Sequence, residues 1–121
     1  MQSGKFKFEK LQVWQLSMDF GEKIYQISAT FPAIEKYNLQ TQINRAVDSI
    51  ALNLAEGCTG NSNAEFSKFI GYSLRSVSEV VTCLIKAIRR KYISEETFDE
   101  HYEEAFILMN KIAALRKSLS K

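Results

Sequence analysis

Two cysteines and one histidine are the residues of this chain best suited to covalent or metal chemistry, and their placement argues against both. Cys58 and Cys83 form no Cys-x-x-Cys pair, and the only histidine is His101. Structural zinc takes four Cys or His ligands at short spacings, and Ser or Cys nucleophiles need a supported base. A ferritin-like di-metal bundle needs Glu-x-x-His pairs on facing helices. Here the residue three before His101 is Phe98, and the run around it is rich in Glu and Asp. His101 therefore reads as a solvated helix residue. Gly57-Cys58-Thr59-Gly60 lacks the Lys-Ser/Thr that completes a P-loop. An enzyme would have to use Cys58, in a loop after Gly57, with a thiol pKa well below its free value. The expectation is no catalytic residue, no metal and no cofactor.

Two polar surfaces offer binding instead. Gln42, Arg45, Ser49, Asn53 and Glu56 recur at spacings of 3, 4, 4 and 3, which places them on one helical face. Such a stripe suits a structural network fixing one helix against its neighbours, since buried polar groups must be hydrogen-bonded. Further along, Lys68, Arg75, Lys86 and Arg90 share a narrow arc, with Arg89 and Lys91 extending it and Tyr72 inside it. At 1.5 Å per residue that row spans roughly 33 Å, long enough to track a phosphate backbone. The bland alternative is an ordinary solvated face, with Arg75 and Glu79 as a local ion pair and the terminal cations answering the helix dipole.

Four helices must position these residues. The apolar periods predict an all-α, antiparallel up-down-up-down four-helix bundle, one domain over 1–121, with helices at about 10–30, 39–56, 63–90 and 95–119. Phe31-Pro32 stops the first helix, because a residue before proline is pushed out of the helical region. Gly57 suits a left-handed cap on the second. Ser62 with Glu65 matches a capping box, and Ser94 is an N-cap for the fourth. In that last helix Phe98, Tyr102, Ala105, Met109, Ile112, Arg116 and Leu119 make a heptad seam. Helix one carries two apolar stripes. Val13, Phe20, Ile24, Ile27 and Phe31 form the first; Leu11, Trp14, Met18 and Tyr25 form the second. Their combined arc of roughly 200° exceeds the roughly 100° that a bundle helix needs. The second stripe is thus either an extra-deep core position, covered by residues 1–9, or a subunit interface.

Bulk composition agrees with this picture. The chain has 121 residues, 45% hydrophobic and 25% charged, enough for one core without staples. A net charge of +2 permits contact with nucleic acid but is well below the footprint of a dedicated binder. Two separated thiols fit a reducing, cytoplasmic setting. No apolar run spans a membrane, and the first residues have no apolar signal core.

Certain residues together carry a resemblance. Phe8-Glu9-Lys10-Leu11-Gln12-Val13-Trp14 opens the pattern. Ile24-Tyr25, Phe31-Pro32, Glu35, Tyr37, Leu39 and Gln42 follow, then Asn53-Leu54-Ala55-Glu56-Gly57, Glu65-Phe66 and Ser73-Leu74 to Glu79. From Phe8 to Leu119 the chain resembles the four-helix-bundle family encoded in intervening sequences of bacterial 23S rRNA genes, often labelled 23S ribosomal or ribosomal S23 protein. It is also similar to the accessory variability protein of diversity-generating retroelements, which contacts reverse transcriptase and nucleic acid. The resemblance implies a ring-like homopentamer in a bacterial cytoplasm, with RNA or the ribosome as partner. The chain departs from the family at Asn44-Arg45, where two basic residues are common, and in the uncharged loop Cys58-Thr59-Gly60-Asn61-Ser62. Arg75 stands where a small residue is common, which moves charge onto helix three. The reading is a non-catalytic homo-oligomer that binds RNA or a ribonucleoprotein; the alternative is a protein–protein adaptor without nucleic-acid affinity.

Overall fold

The apolar periods close into four helices around one core. A computed structural model describes residues 4–120. Helix α1 spans Gln12–Ser28, α2 Leu39–Thr59, α3 Asn63–Arg89 and α4 Glu95–Leu119, with short 3-10 turns at Lys7–Lys10 and Ala33–Glu35. The described residues contain no strand. Each helix packs against its neighbours in the cyclic order α1, α2, α3, α4 and back to α1. Side-chain pairs give the directions. Asn44 bonds Ser28, while Trp14 and Ala55 line one groove, so α1 and α2 are antiparallel. Ser76 bonds Ser49 while Gly57 lies against Phe66 and Phe69, so α2 and α3 are antiparallel too. Arg116 reaches Ser67, Ala105 and Met109 line a groove with Val77 and Val81, and Lys23 meets Glu104.

Local signals set several helix ends. Ser62 Oγ accepts the Glu65 amide at 3.1 Å, and Ser94 Oγ accepts the Thr97 amide at 3.1 Å. Each satisfies one of the orphan donors of a helix start. α1 begins at Gln12 rather than at residue 10, because Leu11 is extended and the preceding residues form their own 3-10 turn. It ends at Ser28, and a tightened turn, with Thr30 N–H bonding the Ile27 carbonyl, leads to Pro32. α3 closes on Lys91, whose φ of 63° is left-handed. Lys91 N–H bonds the Ile88 carbonyl and Tyr92 N–H bonds that of Ala87, the paired bonds of a Schellman ending.

Two expectations fail for packing reasons. α2 does not stop at Glu56; it continues through Gly57 to Thr59. Gly57 is no cap: a Cβ there would lie 2.7 Å from the Phe69 Cβ and 3.0 Å from Phe66. Its missing side chain lets α3 approach. Cys58 is accordingly in the last turn of α2, not in a loop. In α4 the buried stripe is His101, Ala105, Leu108 and Ile112, with Leu115 and Leu119 half-buried below it. The seam expected through Tyr102, Met109 and Arg116 is rotated, because discounting polar His101 shifted the period. Tyr102 and Arg116 are exposed.

The core is aliphatic. Ile24, Leu39, Ile43, Ile50, Leu54, Ile70, Leu84 and Ile112 are all within 1% of full burial. Each contributes about 1.5–3 kcal/mol relative to an exposed side chain. Ile50, at the centre of α2, is a position where truncation to Ala would cost about 2–5 kcal/mol.

Candidate nucleic-acid interface

α3 presents its cations at two ends, and the structure treats the ends differently. Near the N-terminal end, Lys68 and Arg75 share a surface cleft with Arg116 of α4 and with Tyr72. The cleft has a volume of about 360 Å³, and its remaining lining is Ala64, Ser67 and Gly71. No acidic side chain lines it. Arg116 lies flat on α3: its Nε donates to Ser67 Oγ at 3.1 Å, and a Cβ at Gly71 would sit 3.0 Å from its Nη2. The small residue is what lets a guanidinium from the neighbouring helix join the α3 row. Tyr72 packs edge-on against Phe69, centroids 5.5 Å apart, which fixes its ring at the rim. Three cations and one positioned aromatic can bind phosphate oxygens and stack a base.

The other end is closed. Glu35, only 6% exposed, gathers Arg90, Tyr92 and the start of α2. Its Oε2 accepts from the Tyr92 hydroxyl at 2.6 Å and from Arg90 Nη1 at 3.2 Å. Its Oε1 accepts from Asn38 Nδ2 at 2.9 Å and the Leu39 amide at 3.3 Å. The Tyr92 hydrogen bond above all holds the Glu35 carboxyl below its ordinary value, against the opposing effect of burial. The same bond pushes the Tyr92 phenol up. Arg90 is thus tied into an inter-helix clasp. Lys86, half-buried, and Arg89, exposed, lie on the turn before it, away from the cleft. The five expected cations do not form one row of equal members, and Arg116 was not among them. Its signal was a basic residue at an apparent seam position.

The α2 stripe forms only in part. Asn53 Nδ2 donates to the Ser49 carbonyl at 2.8 Å and to Ser49 Oγ at 2.9 Å, and Ser76 Oγ donates to Ser49 Oγ at 2.9 Å. Gln42, Arg45 and Glu56 are exposed and make no side-chain hydrogen bond among the described residues. The network expected of five residues is Ser49 and Asn53 joined to Ser76 of α3.

The second stripe of α1 divides as well. Trp14 is buried, with the Phe8 ring 5.1 Å away across the 3-10 turn. Leu11 is half-buried. Met18 and Tyr25 stay exposed, Tyr25 at 63%. Residues 4–10 supply the cover; residues 1–3 lie outside the described residues.

Both thiols are buried, and burial pushes each above its ordinary value. That is the opposite of an activated nucleophile. His101 is not solvated as expected: it is 6% exposed, and its Nδ1 lies 2.8 Å from the Thr97 carbonyl. Glu100, His101 and Glu104 bring three donor atoms within 4.8 Å of one another, the one such grouping among the described residues. No helix among the described residues is long and apolar enough to cross a membrane.

Comparison with known proteins places the fold and the family. A protein of unknown function from the S23 ribosomal protein family of Bacteroides thetaiotaomicron, solved at 1.70 Å, superposes with a TM-score of 0.80. The two share 23% identity, and the match covers 87% of this chain and 98% of that one. A search of curated proteins finds no significant match. Residues 9–114 match the family described as 23S rRNA-intervening sequence protein. That span takes in both ends of the α3 row and α4 as far as Ala114, leaving Arg116 outside it, and this chain belongs to the 23S rRNA-intervening sequence protein family.

Proposed function

We propose that this protein is a non-catalytic cytoplasmic homo-oligomer that binds RNA, alone or within a ribonucleoprotein such as the ribosome. The observation that carries the reading is the cleft of Lys68, Arg75 and Arg116 beside Tyr72. Cations from two helices converge there without a carboxylate to neutralise them, while the comparable Arg90 is bound by Glu35. Membership of a family named for an rRNA intervening sequence supports RNA as the polyanion. The test is RNA co-purified from cells with the wild-type chain and with a Lys68→Glu, Arg75→Glu, Arg116→Glu variant. Enrichment of RNA on the wild type and its loss in the variant is the expected result. Equal RNA on both excludes this face, and no RNA on either favours the adaptor reading.

Assembly is supported by two separate apolar grooves. One, between α1 and α2, is lined by Phe8, Trp14, Met18, Val47, Ala51 and Leu52, with a volume of about 450 Å³. The other, between α3 and α4, is lined by Val77, Val81, Tyr102, Ala105, Phe106 and Met109. Leu52 is 66% and Phe106 54% exposed. Two unlike apolar surfaces on one chain suit a head-to-tail contact, the kind that closes into rings. A pentamer, the state implied by the family resemblance, has five times the 13.9 kDa chain mass by light scattering. A strict monomer would refute assembly through these faces.

A further inference from the structure

We propose that Glu100, His101 and Glu104 form a binding site for a divalent transition-metal ion of the zinc class. His101 is three residues and Glu100 four residues before Glu104 on α4, so both are neighbours of Glu104 on the helix surface. The His101 side chain is 8% exposed. Its Nδ1 faces the Thr97 carbonyl at 2.8 Å. A carbonyl only accepts, so Nδ1 carries a proton and Nε2 is the ring nitrogen left to face a ligand. Metal-bound imidazoles commonly have this backing from a backbone carbonyl.

Nε2 faces Glu104 Oε1 at 3.6 Å, too far for a hydrogen bond. Glu104 Oε1 is itself buried and without a hydrogen-bond partner among the described residues. A ring nitrogen and an unpartnered carboxylate oxygen therefore stand side by side with no hydrogen bond between them, a pair that a cation can bridge. Lys23 does not fill the gap: its ammonium is 2.6 Å from the other oxygen, Oε2. It holds the carboxylate in place and leaves Oε1 for a ligand. Zinc bonds to N and O are about 2.0–2.2 Å, so tetrahedral ligands stand about 3.4 Å apart. The His101–Glu104 pair already matches this. Glu100 is exposed and can close the remaining distance by side-chain rotation. Glu100 and His101 line a cleft of about 520 Å³, from which water can complete the coordination shell.

A proton shared between Nε2 and Oε1 is the competing occupant, and the experiment separates the two. The full chain, stripped with chelator, is titrated calorimetrically with ZnCl2, with MgCl2 as a control. Cobalt(II) serves as a visible-absorption probe of nitrogen ligation. Saturable binding of one zinc per chain is expected, with magnesium much weaker, since imidazole favours zinc. His101→Asn and Glu104→Gln should each weaken zinc by at least the roughly 10–100-fold typical of losing even an outer-shell partner. Glu100→Gln should weaken it less. Glu100 and Glu104 are not core side chains, so their variants carry the test if His101→Asn fails to fold. No saturable zinc binding, zinc affinity unchanged in Glu104→Gln, or magnesium preferred over zinc overturns the proposal.

Discussion

At its C-terminal end α3 yields Arg90 to a buried carboxylate; near its N-terminal end it leaves Lys68 and Arg75 facing solvent and gains Arg116 from α4. The residue types are alike and the helix is the same. What differs is the neighbour. Glu35, delivered by the turn before α2 and held by the hydroxyl of Tyr92, which the left-handed Lys91 turns back, satisfies one cation. Gly71 and Ser67 bring in another cation rather than an acid. A row of charge along a helix is therefore not a uniform surface. The packing of adjacent helices decides which members hold the fold and which remain available to a polyanion.

The largest expected effect falls on the open end. Reversing Lys68, Arg75 and Arg116 to Glu should lower RNA affinity about a hundredfold at low salt. Arg90→Met, at the closed end, should leave it within about twofold, because Glu35 already holds this guanidinium and it adds little to the charge a polyanion meets. Filter binding of both variants to the same RNA compares the ends directly; equal losses would erase the distinction. Next in size, Gly71→Val should lift Arg116 off α3 and weaken RNA binding about tenfold, a smaller change than removing all three charges.

The closed end is tested by stability. Glu35→Gln should lower the melting temperature by about 3–6 °C while leaving RNA binding intact. Its pH dependence has a definite sign. The folded carboxyl is held below its ordinary value of 4.5, so its contribution is present above pH 4.5 and is lost as pH falls through the depressed folded value. Tyr92 is raised above 10.0, so its contribution is present below pH 10 and lost as pH climbs through the raised value. Wild-type protein should thus lose more stability than Glu35→Gln on acidification below pH 4.5, measured by thermal melts. The smallest effect belongs to Lys91. A left-handed non-glycine residue costs about 1–2 kcal/mol, partly offset by the entropy of glycine, so Lys91→Gly should stabilise the chain by about 0.5–1 kcal/mol.

Local features were readable in the sequence. Ser62 and Ser94 cap the helices expected of them, since a cap needs only residues within one turn. The burial of Phe66, Ile70, Ser73 and Val77 follows α3 periodicity. Features set by a second helix were not readable. Gly57 has the composition of a cap but serves a close approach to Phe69. His101 looked solvated because polar residues are discounted from an apolar period, yet it lies in the α4 seam. Glu35 and Arg90 are 55 residues apart, and no spacing rule joins them. For the candidate interface, Lys68 and Arg75 were legible as exposed cations, whereas Arg116 became a member only once α4 lay against Gly71.

The salt dependence of RNA binding separates the open end of α3 from the closed one. Three cations on a single-stranded backbone predict a slope of log K against log salt of at least about −2, at roughly 0.7 per neutralised phosphate. That slope is expected for the wild type and for Arg90→Met, and a slope near zero for the Lys68, Arg75, Arg116 reversal. A steep slope that survives the reversal, or a flat one in the wild type, would contradict that distinction.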